Sequence, residues 1–237
     1  MLKSKKRLSY KEYKRKVIIR RYIAAAITVL FTAAVVLSII YMVGFLTGNN
    51  YDNGFIPSPF GRNVSKRVKI AEKLELPDWI DPQIINIHPP ARTGIKLKDI
   101  DNIVVHYVGN PASTAQNNRD YFAKATTSVS SHFVVGLEGE IIQCVPLYEK
   151  SAASNQRNKD SISIEVCHPD ETGKFNETTY NSLVKLVSWL CDEFSLDESQ
   201  IIRHYDITGK ECPRYYVKNE DEWKKFKADV EEFMNED

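Results

Sequence analysis

Residues 161–167, SISIEVC, alternate strictly between polar and apolar side chains. Period-two alternation is the mark of a strand with two unlike faces, here Ile162, Ile164 and Val166 on one and Ser163, Glu165 and Cys167 on the other. NIVVHYV at 102–108 is a second β-rich run. SHFVVG at 131–136 and EIIQCVP at 140–146 flank Leu-Glu-Gly and predict a hairpin. SQIIRHY at 199–205 predicts one further short strand. Helical spacing takes over at 177–196, where apolar residues fall at 183, 186, 187, 190 and 194. Residues 114–125 and 221–234 also predict helices, and 64–76 a short amphipathic one ended by Pro77. Strands interleaved with helices predict an α/β domain, a mixed central β-sheet flanked by helices.

A different pattern precedes all of this. No charged residue occurs from position 22 to position 50. An apolar core of about 24 residues, at 1.5 Å rise each, is roughly 36 Å long, enough to cross a hydrocarbon layer of about 30 Å. The stretch is too long for the apolar region of a cleaved signal peptide, and Phe45-Leu46-Thr47-Gly48 is a poor cleavage site. A transmembrane signal-anchor helix over 22–47 is therefore expected.

Charge orients it. The formal net charge is only +1, yet ten Lys or Arg lie between Lys3 and Arg21 against one acid, Glu12. Such a basic segment beside an apolar span stays in the cytoplasm. The expected organisation is a basic cytoplasmic tail (1–21), the anchor (22–47), an extracellular stalk and lead-in rich in Gly, Asn and Pro (48–94), and a folded domain (95–237). With the anchor explaining the basic residues, no nucleic-acid partner is implied.

Four cysteines, Cys144, Cys167, Cys191 and Cys212, show no disulfide framework. Cys144 and Cys167, expected on adjacent strands, could pair or stay as small buried apolar residues, and the second is favoured. No nucleotide or redox cofactor motif is present, and no obligate protein partner is evident.

The chemistry-bearing candidates begin with HYDITGKECPRYY at 204–216, which puts His204, Lys210 and Cys212 within nine residues. Two histidines and a cysteine make a zinc ligand set with a fourth position open to water. His106 could supply the second imidazole, although a lone histidine in a β-branched run is more often a satisfied core residue. Glu165, on a strand otherwise built of apolar and small residues, is costly unless paired or used. Spacing alone leaves both alternatives open for each residue, and Lys210 reads most simply as a surface lysine.

Taken in order, IVVHY, SSHFVVGLEGEIIQCVP, NKDSISIEVCHPDETGKFNETTY and HYDITGKECPRYY resemble the zinc-dependent N-acetylmuramoyl-L-alanine amidases of the type 2 amidase family. That family includes the phage T7 lysozyme and is related in fold to the peptidoglycan recognition proteins. The resemblance covers roughly residues 95–235. It implies one zinc ion per chain on His106, His204 and Cys212, with Glu165 as catalytic acid/base and Lys210 beside the reacting centre. Some members place a tyrosine directly before the His-Phe of the second strand; this chain has Ser131 there, which shifts the acid/base role further onto Glu165. His132 is expected in a structural hydrogen-bonding role. His168, Arg214 and Ser131 are weaker candidates for lining the substrate groove.

The implied activity is hydrolysis of the amide joining N-acetylmuramic acid to L-alanine in peptidoglycan, in cell-wall remodelling or turnover. With the anchor it implies a single-pass plasma-membrane protein with an extracellular catalytic domain, in a Gram-positive bacterium. The alternatives are a non-catalytic peptidoglycan-binding receptor on the same fold, a thiol hydrolase using Cys212, and a metal-free scaffold. Retention of all three ligand positions with Glu165 and Lys210 disfavours the receptor.

Overall fold

The structure, a computed structural model, describes residues 10–47 and 64–235. It separates into two units, residues 1–61 and 62–237. In the first, α1 (Tyr10–Thr47) is a 38-residue helix. Among the described residues no helix is long and apolar enough to cross a membrane. The transmembrane expectation for 22–47 thus gains no support here. The first part of the basic tail (1–9) and the stalk over 48–63 lie outside the described residues.

The second unit is built on a six-stranded sheet in the order β1-β4-β3-β5-β2-β6. The strands are β1 (Ile80–Pro82), β2 (Asn102–Tyr107), β3 (Phe133–Val135), β4 (Ile141–Gln143), β5 (Ser161–Val166) and β6 (Ile201–Arg203). Among these six strands only the β3–β4 hairpin is antiparallel, and the other four pairings are parallel.

Strand alternation divides the sheet into two faces. Ile103, Val105, Phe133, Val135, Ile162, Ile164 and Val166 enter the main core beneath α4 (Glu177–Phe194) and α7 (Glu220–Asn235). Each such side chain stabilises the fold by about 1.5–3 kcal/mol through removal from water. Leu183, Leu186, Val187, Leu190 and Phe194, the helical-period residues, are the buried stripe of α4. Asn176 caps α4 by accepting from the Thr179 N–H at 2.8 Å. The helix stops at Phe194, two residues short of the expected end, because Ser195 takes a left-handed conformation (φ +50°). The opposite face carries a smaller apolar cluster, including Val134, Ile142, Cys144 and Cys167, under α3 (Ala115–Phe122). All four cysteines are buried and free.

The compact unit begins upstream of the boundary expected at Ile95. Val68 and Ala71 of α2 (Lys66–Ala71) join the core, and β1 adds a strand to the sheet edge beside β4. Arg92 grips the buried Glu149 carboxylate with two hydrogen bonds of 2.8 Å. The helix expected over 64–76 is present as the shorter α2, but β1 gave too weak a periodic signal to be read as a strand, since it is three residues long and the burial around it comes from isolated residues such as Ile85.

Candidate metal centre

The site lies on the sheet face opposite α4 and α7. In β2, Ile103 and Val105 point into the core, so His106 must point the other way. The same alternation in β5 turns Glu165 to that face. The two residues are register partners on adjacent strands.

The third and fourth contributors come from the chain after β6. Arg203 ends that strand and is anchored by Asp206, Glu220 and the Tyr216 carbonyl. It delivers His204 as the first residue of α5 (His204–Thr208). Gly209 reverses the chain at φ +76°, where a Cβ would be strained, and the Tyr205 N–H donates to the Cys212 carbonyl at 2.9 Å. The loop is thereby folded back so that Cys212 returns beside His204.

The side-chain donors of His106, His204 and Cys212 converge within 4.8 Å of one another, and all three residues are buried. Cys212 Sγ lies 3.8 Å from His106 Nδ1. A tetrahedral ion with bonds of about 2.3 Å to sulfur and 2.0–2.1 Å to nitrogen, as zinc makes, needs those atoms about 3.6 Å apart. His204 Nδ1 is buried without a hydrogen-bond partner, as expected of an atom waiting for a ligand bond. The outer nitrogens are occupied: His106 Nε2 meets Ser154 Oγ at 3.1 Å, and His204 Nε2 meets Asn155 Oδ1 at 2.8 Å. The donor set fits a metal ion.

Electrostatics agree with that fit. Burial, reinforced by His204 and Lys210, holds His106 well below the usual histidine range. Burial and Lys210 also lower His204. Both imidazoles are therefore neutral, the form that binds metal. Burial and the nearby Glu165 push the Cys212 thiol up to about 12, against the Tyr107 backbone N–H and Lys210, which favour the thiolate. A cation is what this pocket needs in order to hold the thiolate. Burial raises Glu165 to about 8, with Lys210 opposing, and Glu165 Oε2 has no hydrogen-bond partner. A carboxyl that can exchange a proton near neutral pH thus stands next to the donors.

His106, Glu165, His204, Lys210 and Cys212 all line one cleft of about 630 Å³, whose walls include Tyr121 and the exposed Val129. A second cavity of about 670 Å³, lined by Lys174, Tyr180 and Tyr215, contains none of the donors.

The weaker candidates fall elsewhere. Ser131 is fully buried and its hydroxyl donates to the Phe133 carbonyl, so it is not placed to meet a substrate as expected. His168 is also buried; its ring packs on Tyr107 at 5.1 Å, and Nδ1 meets the Asp170 carbonyl at 2.7 Å. Arg214 stands over the Tyr107 ring at 5.6 Å and donates to the Glu171 carbonyl at 2.9 Å. These two brace Tyr107 and the 168–174 loop rather than line the cleft. His132 is structural: Nδ1 accepts from the Ser163 N–H at 2.9 Å, and Nε2 meets the Glu149 carbonyl at 2.8 Å. Ser154 and Asn155 were missed by sequence reasoning, because nothing in their loop composition signals a contact with two distant histidines.

Comparison with known proteins follows the geometry. The family model described as N-acetylmuramoyl-L-alanine amidase matches residues 96–215. The N-acetylmuramoyl-L-alanine amidase BlyA of Bacillus subtilis is 31% identical over 172 residues, covering 64% of this chain and 46% of its own length. The amidase CwlL of Bacillus licheniformis is 29% identical over 168 residues, with 63% and 46% covered. The chain thus spans about half the length of the curated relatives it matches. Among solved structures, a mutant endolysin from Bacillus subtilis aligns with a TM-score of 0.57 at 27% identity, covering 64% of this chain and 97% of that one. The catalytic domain of XlyA aligns with a TM-score of 0.56 at 27% identity, covering 64% and 98%.

Proposed function

The chain belongs to the N-acetylmuramoyl-L-alanine amidase family, and from that premise we propose that it hydrolyses the amide between N-acetylmuramic acid and L-alanine in peptidoglycan, with one zinc ion on His106, His204 and Cys212. The observation that carries the reading is the convergence of those three donors with Glu165 and Lys210 in one cleft. The named relatives are amidases.

Zinc held there would supply Lewis-acid activation of water and of the scissile carbonyl. The protein's own residues do the rest. Glu165 takes a proton from the attacking water and later gives it to the leaving amine, a role suited to a carboxyl raised to about 8. Lys210, exposed at the cleft, places positive charge where the carbonyl oxygen becomes anionic. His106 and His204 remain neutral because burial disfavours their charged forms.

We also propose that α1 anchors the protein in the plasma membrane, with the second unit outside and next to the cell wall. Support comes from the uncharged stretch 22–50, the basic residues before it, and exposed apolar side chains among the described ones, such as Ile27, Leu30 and Phe31. Such a protein would act locally, in wall remodelling or turnover.

The test is digestion of purified peptidoglycan by the full chain in mild detergent, with and without chelator. New amino termini should be L-alanine, should stop appearing on chelation, and should return with zinc. Wall binding without any release of peptide would favour a receptor instead.

A further inference from the structure

The two imidazoles of the site come from distant parts of the chain, yet their outer nitrogens are held by consecutive residues. Ser154 Oγ lies 3.1 Å from His106 Nε2, and Asn155 Oδ1 lies 2.8 Å from His204 Nε2. We infer that Ser154 and Asn155 form a clip that sets the tautomer and orientation of both histidines, so that each presents an unprotonated Nδ1 to the metal. The inference rests on the metal reading above and assigns positioning residues for that site.

An amide oxygen can only accept. Asn155 Oδ1 therefore requires the proton of His204 to be on Nε2, which leaves Nδ1 bare; that Nδ1 is the atom found buried without a partner. Ser154 Oγ can accept from His106 Nε2 in the same way, leaving Nδ1 toward Cys212 Sγ at 3.8 Å. Ser154 is fully buried, so water does not compete for its hydroxyl.

The clip is itself held. Asn158 Oδ1 accepts from the Ala153 N–H at 3.1 Å and the Ser154 N–H at 2.6 Å. Gln156 Nε2 donates to the Ile207 carbonyl of α5 at 3.2 Å. Asn155 has φ +50°, a left-handed conformation that asparagine tolerates better than most residues. The strained backbone turns the amide toward α5, while the preceding serine faces β2.

The test compares Asn155→Gly, Asn155→Asp and Ser154→Ala with the parent full chain. Glycine suits φ +50° and removes only the acceptor; aspartate keeps the acceptor. Zinc affinity is read by competition with a chromophoric chelator, and the histidine tautomers by imidazole nitrogen NMR of the metal-free protein. Expected are about 10- to 100-fold weaker zinc binding for Asn155→Gly and Ser154→Ala, a mixed His204 tautomer in the first, and parent-like or tighter binding for Asn155→Asp. Unchanged affinity and tautomer in Asn155→Gly would overturn the clip, as would equal loss in Asn155→Asp. If the parent itself takes up no zinc, the metal reading fails, while the tautomer measurement still judges the clip.

Discussion

His106 and Glu165 stand at the same level of two adjacent parallel strands, as register partners of β2 and β5. Their side chains share the face of the sheet turned away from the main core. An imidazole of the candidate metal site and a carboxyl raised to about 8 are thus held together by backbone pairing, with no loop between them to flex.

This arrangement predicts that Glu165→Gln leaves zinc content unchanged but lowers the rate at which new L-alanine amino termini appear by about 10²–10⁴-fold, the usual worth of a general acid/base. Rate and metal stoichiometry should be measured on the same preparation. Full activity in this variant would remove Glu165 from the chemistry.

Lys210 is exposed and outside the core, so Lys210→Ala should leave the thermal midpoint within about 1–2 °C of the parent. Loss of an oxyanion-stabilising charge is expected to cost about 10²–10³ in kcat. A matching rise in KM with unchanged kcat would instead assign the lysine to substrate binding.

Cys212→Ser and His204→Ala should each abolish stoichiometric zinc binding, as read by metal analysis after gel filtration. The parent should gain thermal stability as zinc is added, because ligand binding to the native state alone stabilises it. A thiol-alkylation sensitivity that zinc does not protect against would point toward a thiol hydrolase.

His132 offers a test of the fold by pH. It is fully buried, and burial lowers it to about 4, partly opposed by its bond to the Glu149 carbonyl. Its proton binds the unfolded chain more readily than the native one between pH 6.5 and about 4. The associated stability is therefore complete above pH 6.5 and lost as pH falls toward 4, on the order of 3 kcal/mol in all. His106 and His204 are lowered too, so the contribution is read as a difference. In denaturant titrations of metal-free protein, the acid loss should be shallower in His132→Gln than in the parent, although that variant begins less stable.

Much of the fold was legible because it rests on local periodicity. The alternation at 161–166 separates core from site face, and the helical spacing of α4 names five residues that the structure buries. Past the expected helix at 64–76, the lead-in was misjudged because three residues of β1 and scattered contacts at Ile85 and Arg92 leave no period to read. Ser131 was expected near substrate from a family position, yet a strand-entry residue can point inward, and this one does.

By itself the sequence determined which donor atoms exist, which face of each strand carries them, and what charge and apolar length precede the folded unit. Those properties follow from residue chemistry and from the fixed two-residue period of a strand. Only the tertiary structure decided that His106 and Cys212, 106 residues apart, come within 3.8 Å, and that one loop holds the backs of both histidines. Parallel pairing sets β2 between β5 and β6 through long crossovers. Distance along the chain therefore carries no information about distance in space until the sheet has formed.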